Sequence, residues 1–390
     1  MITYFSRSAD GQAQDRAPTK LDNLNIKNYS DFDLKLSQRA LDLAAKGIGQ
    51  VSPSPPVGCV IVSENGEIVG EGSYFYKNVT HAEVLALNEA GEKAKGGTAY
   101  VSLEPHTHFG RTKPCTDALI NAGIKRVVCP TEDPNPLVSG KGFAKMRENG
   151  IEVVTGILKS EAEKVCEKFI HWHRTGRPFM HLKMAMSLDG RISLKNSVST
   201  ALSGEESSKR VQDLRHEYDA ILVGGNTAFV DDPNLTDRSG KERHRKLVRV
   251  VLDNRLQISE NSKLVQTAEV TPTIVFSNSD NTEKIKCLKS KGVEVIPLNA
   301  RDLTSVLDAL AKKDLQSILV EGGAEIAGSF VDTKLVDKLT FIVAPIIIGG
   351  NDAPLVIGGK GVEVLSKAMC LNDLEITYLG KDIEITGYPN

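Results

Sequence analysis

HAEVLALNEAGEKAKGGTAYVSLEPHTHFGRTKPCTDALI (81–120) is the stretch from which the rest of this chain can be read. It runs from a helical pattern over 81–95 into the strand TAYVSL (98–103), then into a second helix over 115–122. Strand and helix patterns in alternation imply a layered α/β domain. Residues suited to metal chemistry stand at its turns: His81 opens the first helix, His106 follows the strand, and Cys115 opens the next helix. A catalytic zinc takes three protein ligands and keeps one position open, and these three residues could fill that set. Glu83, two residues past a ligand, could shuttle protons without itself binding metal. A His-x-Glu followed by Pro-Cys is the signature of zinc-dependent loss of ammonia from an amidine-like ring carbon. An isolated His-Ala-Glu is more often structural; its combination with Pro114-Cys115 gives it weight.

Upstream, Leu34, Leu36, Ala40, Leu41 and Ala44 stripe a helix, and SPSPPVG (52–58) leads into the apolar run CVIV (59–62). Asn65-Gly66 then turns the chain into IVGEG, a β-hairpin signal. Downstream come strands RVVCP (126–130) and IEVVTG (151–156) and a helix at about 160–173, before RTGRPF (174–179) marks a boundary. The alternation restarts with strands at 179–187, 219–225, 247–253, 271–277, 293–298, 316–323 and 338–348, and 370–388 reads as an antiparallel hairpin. Two strands run into paired glycines, ILVGGNT (221–227) and ILVEGGAEIAGSF (318–330), although no G-x-G-x-x-G occurs. Glycines ahead of a helix let a phosphate approach backbone N–H groups.

At 390 residues, with 40% hydrophobic and 25% charged, the chain suits two globular domains. No apolar run reaches membrane-spanning length, and the net charge of −2 offers no basic surface for nucleic acid. The six cysteines form no CxxC pair, consistent with a reducing compartment. Residues 1–30 carry neither a signal-peptide nor a transit-peptide pattern and read as a disordered tail. A cytoplasmic location is expected.

The phrases PVGCVIV (56–62), HAEVLAL (81–87), YVSLEP (100–105), HFGRT (108–112) and DPNPLVSGKG (133–142) resemble the bifunctional riboflavin-biosynthesis family, a pyrimidine deaminase fused to a ribosyl reductase. The resemblance extends over roughly 32–388 and includes LKMAMSLDGRI (182–192), LVGGNT (222–227), DDPNLTDR (231–238) and VEGG (320–323). It implies a cytidine-deaminase-like three-layer α/β domain over 31–175 and a dihydrofolate-reductase-like α/β domain over 176–390. It further implies Zn2+ on His81, His106 and Cys115 with Glu83 as the catalytic acid–base group, and NADPH in the second domain. By the same resemblance Ala185, Ala201, Thr227, Asp231, Gly323, Ala324, Glu325, Ile326, Ala327, Gly328 and Ser329 would meet NADPH. Ser199, Arg215, Leu235, Arg238 and Glu321 would meet a pyrimidine ribosyl phosphate. Arg215 and Arg238 suit its phosphate because a guanidinium forks onto paired oxygens. His108 and Arg111, on the loop between two expected ligands, could also contact a substrate phosphate. Association into a homo-oligomer is implied only by family habit.

Four positions depart from the family pattern. His106 replaces a usual cysteine, Ser54 a usual asparagine, Lys113 a usual proline and Ala201 a usual tryptophan. Imidazole and thiolate both bind zinc, so the first change preserves a ligand. Loss of the indole predicts weaker NADPH binding, since burying such a ring contributes about 1.5–3 kcal/mol. The changes at 106 and 54 leave open a reductase whose first domain is an inactive scaffold. A separate reading is a nucleoside or tRNA deaminase with an unrelated fused domain, the RNA case being disfavoured by the neutral charge balance.

Overall fold

A computed structural model describes residues 29–195 and 200–390. The expected tail lies almost entirely outside these residues, and so does Ser199. The first sheet has five strands, β1 (Gly58–Val62), β2 (Ile68–Ser73), β3 (Thr98–Val101), β4 (Arg126–Cys129) and β5 (Glu152–Thr155), in the order β2-β1-β3-β4-β5. The β1–β2 hairpin is antiparallel and β3, β4 and β5 run parallel.

Every residue of β1 is buried, because alternate side chains feed two different cores. Val60 and Val62 meet Leu36, Ala40 and Leu43 of the helix Asp31–Ala45. Cys59 and Ile61 meet Ala82, Ala86 and Ala90 of the helix Ala82–Ala90, with Leu119 and Phe143 alongside. Helices on both faces make the domain three layers thick. Small residues set the spacing on the second face: a Cβ at Gly70 would lie 2.1 Å from the Ala86 carbonyl oxygen, and one at Gly72 would lie 2.0 Å from that of Ala82. Glycine therefore lets the helix rest directly on β2.

Two helices, Lys159–Val165 and Glu167–Thr175, replace the single one expected there, with the break at Cys166. Beyond them β6 (Phe179–Ser187), β7 (Ala220–Gly224), β8 (Val248–Leu252), β9 (Thr273–Ser277), β10 (Val293–Pro297), β11 (Ser317–Val320), β12 (Lys338–Ala344), β13 (Leu371–Leu379) and β14 (Asp382–Pro389) form one nine-stranded sheet. Its order is β10-β9-β8-β7-β11-β6-β12-β14-β13, parallel up to β12 and antiparallel in the final hairpin. Met180, Leu182, Leu222, Ile318 and Val320 pack on one face against Val306, Leu310, Ala327 and Phe330. Ile221, Val223, Val251 and Val275 pack on the other face against Leu256, Leu264 and Leu288. No helix among the described residues is long and apolar enough to cross a membrane.

Candidate functional site

The first constellation is assembled by three element ends. His81 is the N-cap of the helix Ala82–Ala90, Cys115 begins the helix Cys115–Asn121, and His106 lies on the loop that leaves β3. One ligand atom from each falls within 4.8 Å of the others, and Cys115 Sγ lies 3.4 Å from His81 Nδ1. The His81 and His106 rings are 4.6 Å apart, tilted by 40°. Two imidazoles and a thiol converging at this separation are a donor set suited to Zn2+.

Glu83, two residues past His81, is 2% exposed and its carboxyl interacts with Cys115, while its Oε2 has no hydrogen-bond partner among the described residues. Burial raises the carboxyl's pKa above its ordinary value, against the pull of His81. A buried, unpartnered carboxyl oxygen costs free energy unless a ligand or water meets it, so the fold keeps an acceptor available beside the three donors. Glu104, from the same strand end, is also buried but fully engaged. Its carboxylate accepts from the backbone N–H groups of Asp133, Gly140, Gly142 and Phe143 at 2.8–3.2 Å, fixing the segment 133–143 that closes over it.

On the loop between His106 and Cys115, the Arg111 guanidinium lies 4.1 Å from the centre of the Tyr76 ring. The His244 ring, from the segment after Arg238, stacks on the same tyrosine at 3.9 Å. Neither Tyr76 nor His244 could be singled out from spacing, since the contact joins residues far apart in sequence.

The second constellation gathers at the carboxyl ends of β6, β7 and β11. Gly224-Gly225 and Gly322-Gly323 lie side by side there, with Gly224 N–H donating to the Gly322 carbonyl at 3.1 Å. Each pair opens a helix, Gly225–Asp231 and Ala324–Asp332. A Cβ at Gly323 would come within 3.3 Å of Thr227 Oγ1, and one at Gly322 within 3.2 Å of Met184. The glycines thus leave the backbone uncovered by side chains at the position where parallel sheets take phosphate-bearing ligands. A dinucleotide phosphate fits that cradle.

Around it, Arg215 forks onto Glu321 at 2.7 and 3.0 Å, and Lys183 Nζ lies 3.6 Å from the same carboxylate. Burial opposes ionisation of Glu321, but Lys183 and Arg215 outweigh it and hold the pKa down at about 2. The fork of Arg215 is therefore committed to Glu321 rather than free for a phosphate. Arg238 is exposed and no carboxylate pairs with it among the described residues. Ala185 lies on β6, and Thr227 and Asp231 lie on the helix Gly225–Asp231, with Thr227 beside Gly323. Gly323, Ala324, Glu325, Ile326 and Ser329 form the N-cap and first turns of the helix Ala324–Asp332, whereas the Ala327 side chain belongs to the core and Gly328 is pressed against Gly358. Leu235 also turns its side chain into the core, leaving only its backbone for a ligand. Ala201 is exposed. Asp189, a polar residue of the turn after β6, serves structure: it accepts from Ile348 N–H, Gly349 N–H and the Ser187 hydroxyl.

Comparison with known proteins follows the same division. Residues 178–385 match the family model described as RibD C-terminal domain, and residues 30–131 match the cytidine and deoxycytidylate deaminase zinc-binding region. The chain is 42% identical over 355 residues to riboflavin biosynthesis protein RibD of Aquifex aeolicus, covering 91% of this chain and 98% of that protein. It is 38% identical over 358 residues to the Escherichia coli protein of the same name, covering 88% and 96%. Its fold is similar to the crystal structure of a diaminohydroxyphosphoribosylaminopyrimidine deaminase/5-amino-6-(5-phosphoribosylamino)uracil reductase from Thermotoga maritima, with TM-score 0.81, 34% identity, and 92% and 99% of the two chains covered. Acinetobacter baumannii RibD gives the same TM-score, identity and coverage.

Proposed function

The chain belongs to the RibD family of bifunctional riboflavin-biosynthesis enzymes, and from that membership we propose which of its residues carry each of the two steps. It is a zinc-dependent hydrolase that deaminates 2,5-diamino-6-ribosylamino-4(3H)-pyrimidinone 5′-phosphate, and an NADPH-dependent oxidoreductase acting on the resulting 5-amino-6-(5-phosphoribosylamino)uracil. We assign deamination to residues 31–175, reduction to 176–390, and the enzyme to the cytoplasm.

His81, His106 and Cys115 hold the zinc. When bound, it acts as a Lewis acid that makes water acidic enough to lose a proton near neutral pH. Glu83 Oε2 accepts that proton as the water oxygen bonds to the ring carbon bearing the amino group. The carboxyl passes this proton to the adjacent ring nitrogen and then moves the remaining hydroxyl proton to the amino nitrogen; the C–N bond breaks as the carbonyl forms, and ammonia leaves. The buried surroundings of Glu83 suit the first half of this exchange, since a carboxyl kept out of water holds a proton more readily than an exposed one. Arg111 and His108 face the substrate phosphate from the loop between two ligands.

In the second domain the paired glycines and the helix start at Ala324 receive the phosphates of NADPH, which supplies the hydride. Arg238 takes the substrate phosphate. Lys183, Arg215 and Glu321 form a fixed polar floor that orients the ribosyl group, Glu321 accepting from its hydroxyls.

The observation that carries this reading is the convergence of three donors within 4.8 Å beside an unpartnered Glu83 oxygen. It favours a working deaminase over a scaffold. Glu83→Gln tests it: ammonia release should fall at least about 100-fold while NADPH oxidation with the aminouracil substrate persists. Undiminished ammonia release, or loss of both activities in a folded variant, would overturn the assignment.

A further inference from the structure

The segment 241–246 belongs to the reductase half of the chain, where Arg243 anchors it to the carbonyls of Arg215, His216 and Tyr218, and from there it reaches across to the deaminase half. Glu242 pairs with Lys77 at 2.6 Å, the His244 ring lies 3.9 Å from that of Tyr76 with an interplanar angle of 27°, and Arg245 reaches Ser52 Oγ at 3.5 Å. Tyr76 is thereby approached by two planar groups, His244 and the Arg111 guanidinium, each within 4.1 Å of its ring centre. One face of a six-membered ring has room for one such group, so the tyrosine is sandwiched between them. Burial, together with Arg245 and Arg111, depresses the His244 pKa, so the ring stacks as a neutral imidazole and does not repel the arginine.

Arg111 itself is exposed, and no carboxylate pairs with it among the described residues. Its guanidinium has an aromatic face to lie on and its N–H donors unspent. A stacked guanidinium keeps its in-plane donors directed outward, the arrangement that suits a phosphate. The guanidinium lies against the Tyr76 ring, and the stack on that ring is completed from the other domain by His244.

We propose that His244, supplied by the reductase domain, is a positioning residue of the deaminase site: through Tyr76 it holds Arg111 where the ribosyl phosphate of the pyrimidine substrate binds. This rests on the deaminase assignment above. The reductase half would then serve the first reaction as well as the second, by tightening binding of the phosphorylated substrate without touching the reacting carbon.

The test uses full-length, zinc-loaded enzyme and measures ammonia release from the phosphorylated substrate and from its dephosphorylated riboside. His244→Ala should raise KM for the phosphorylated substrate about tenfold, leaving kcat within about twofold and the riboside unaffected, as expected for loss of binding made equally in ground and transition states. His244→Phe, which restores a stacking ring, should recover the wild-type KM. His244→Ala added to Arg111→Ala should do no further harm, because the two act as a unit. NADPH oxidation with the aminouracil should not change in any of them. An unaltered KM in His244→Ala, equal effects on both substrates, or a parallel loss of reductase activity would overturn the proposal while leaving the deaminase assignment intact. Absence of ammonia release from the wild-type enzyme would instead remove the assignment on which it rests.

Discussion

Replacing Gly72 by alanine should disable the deaminase from a position that touches no substrate. The added Cβ would lie 2.0 Å from the Ala82 carbonyl oxygen and 3.0 Å from the Ala86 backbone nitrogen. Ordinary contact begins near 3.4 Å, so strand and helix must separate by about 1.4 Å at that point. The obstacle is backbone on both sides, and no side chain can rotate away. Overpacking of this kind costs about 1–3 kcal/mol. The functional cost should be larger in proportion, because Ala82 lies between His81 and Glu83 at the very start of the helix. A misplacement of about 1 Å between reacting groups can lower a rate about 100-fold. Ammonia release by Gly72→Ala should fall by that order, with NADPH oxidation on the aminouracil serving as an internal control. A variant that keeps full ammonia release with an unchanged urea midpoint would refute the argument that this strand fixes the height of the helix.

Other expectations follow from contacts described above. Glu104→Ala strips four backbone N–H groups of their acceptor and should lower stability by about 3–5 kcal/mol, read from denaturant unfolding. Removing zinc with a chelator should abolish ammonia release and spare NADPH oxidation, and added zinc should restore the first. Glu321 has its carboxyl pKa lowered in the fold from 4.5 to about 2, so the stability it confers is complete above pH 4.5 and is lost as pH falls through 2. That shift corresponds to at most about 3 kcal/mol, and Glu321→Gln should show a shallower decline of the urea midpoint in acid. Arg238→Ala should raise the KM for the aminouracil phosphate about tenfold or more without affecting ammonia release, since a phosphate contact is lost.

Much of the architecture could be read directly from the chain, for identifiable reasons. Runs such as CVIV (59–62) and AILVGG (220–225) are apolar at every position because both faces of those strands are covered, and that pattern survives any detail of packing. Helix ends were less legible. The pattern over 81–95 continues past Ala90, but Gly91 takes φ +54° and the chain tightens into a short 3-10 turn. In LVRVVLD (247–253), alternation places Arg249 inside without saying how a guanidinium survives there. The structure does: Arg249 donates to the carbonyls of Asn234, Leu264 and Thr271 and to the Thr267 and Thr273 hydroxyls.

The same contrast holds at the sites. His81, Glu83 and Cys115 announce themselves by spacing, because helix starts fix their directions. The commitment of Arg215 to Glu321 could not be anticipated, as 106 residues separate the pair and either one alone looks like a ligand-binding group. Residues from Gly323 to Ser329 were expected to share one role. A helix turns successive side chains to different sides, which is why Ala327 and Gly328 face inward.

The closing hairpin bears on how the protein is made. All five strands of the first sheet have been synthesised by Thr155, whereas β12 finds its outer neighbour only when Asp382–Pro389 emerges. Within the second sheet, β6 must wait likewise for β12, some 150 residues after it leaves the ribosome. At about 5–20 residues per second, the deaminase half has ten seconds or more to become compact while its successor still exposes the apolar flank of β6. The nascent reductase, not the finished enzyme, is therefore the form in greatest need of a chaperone, and the folded first half is the neighbour against which it completes itself.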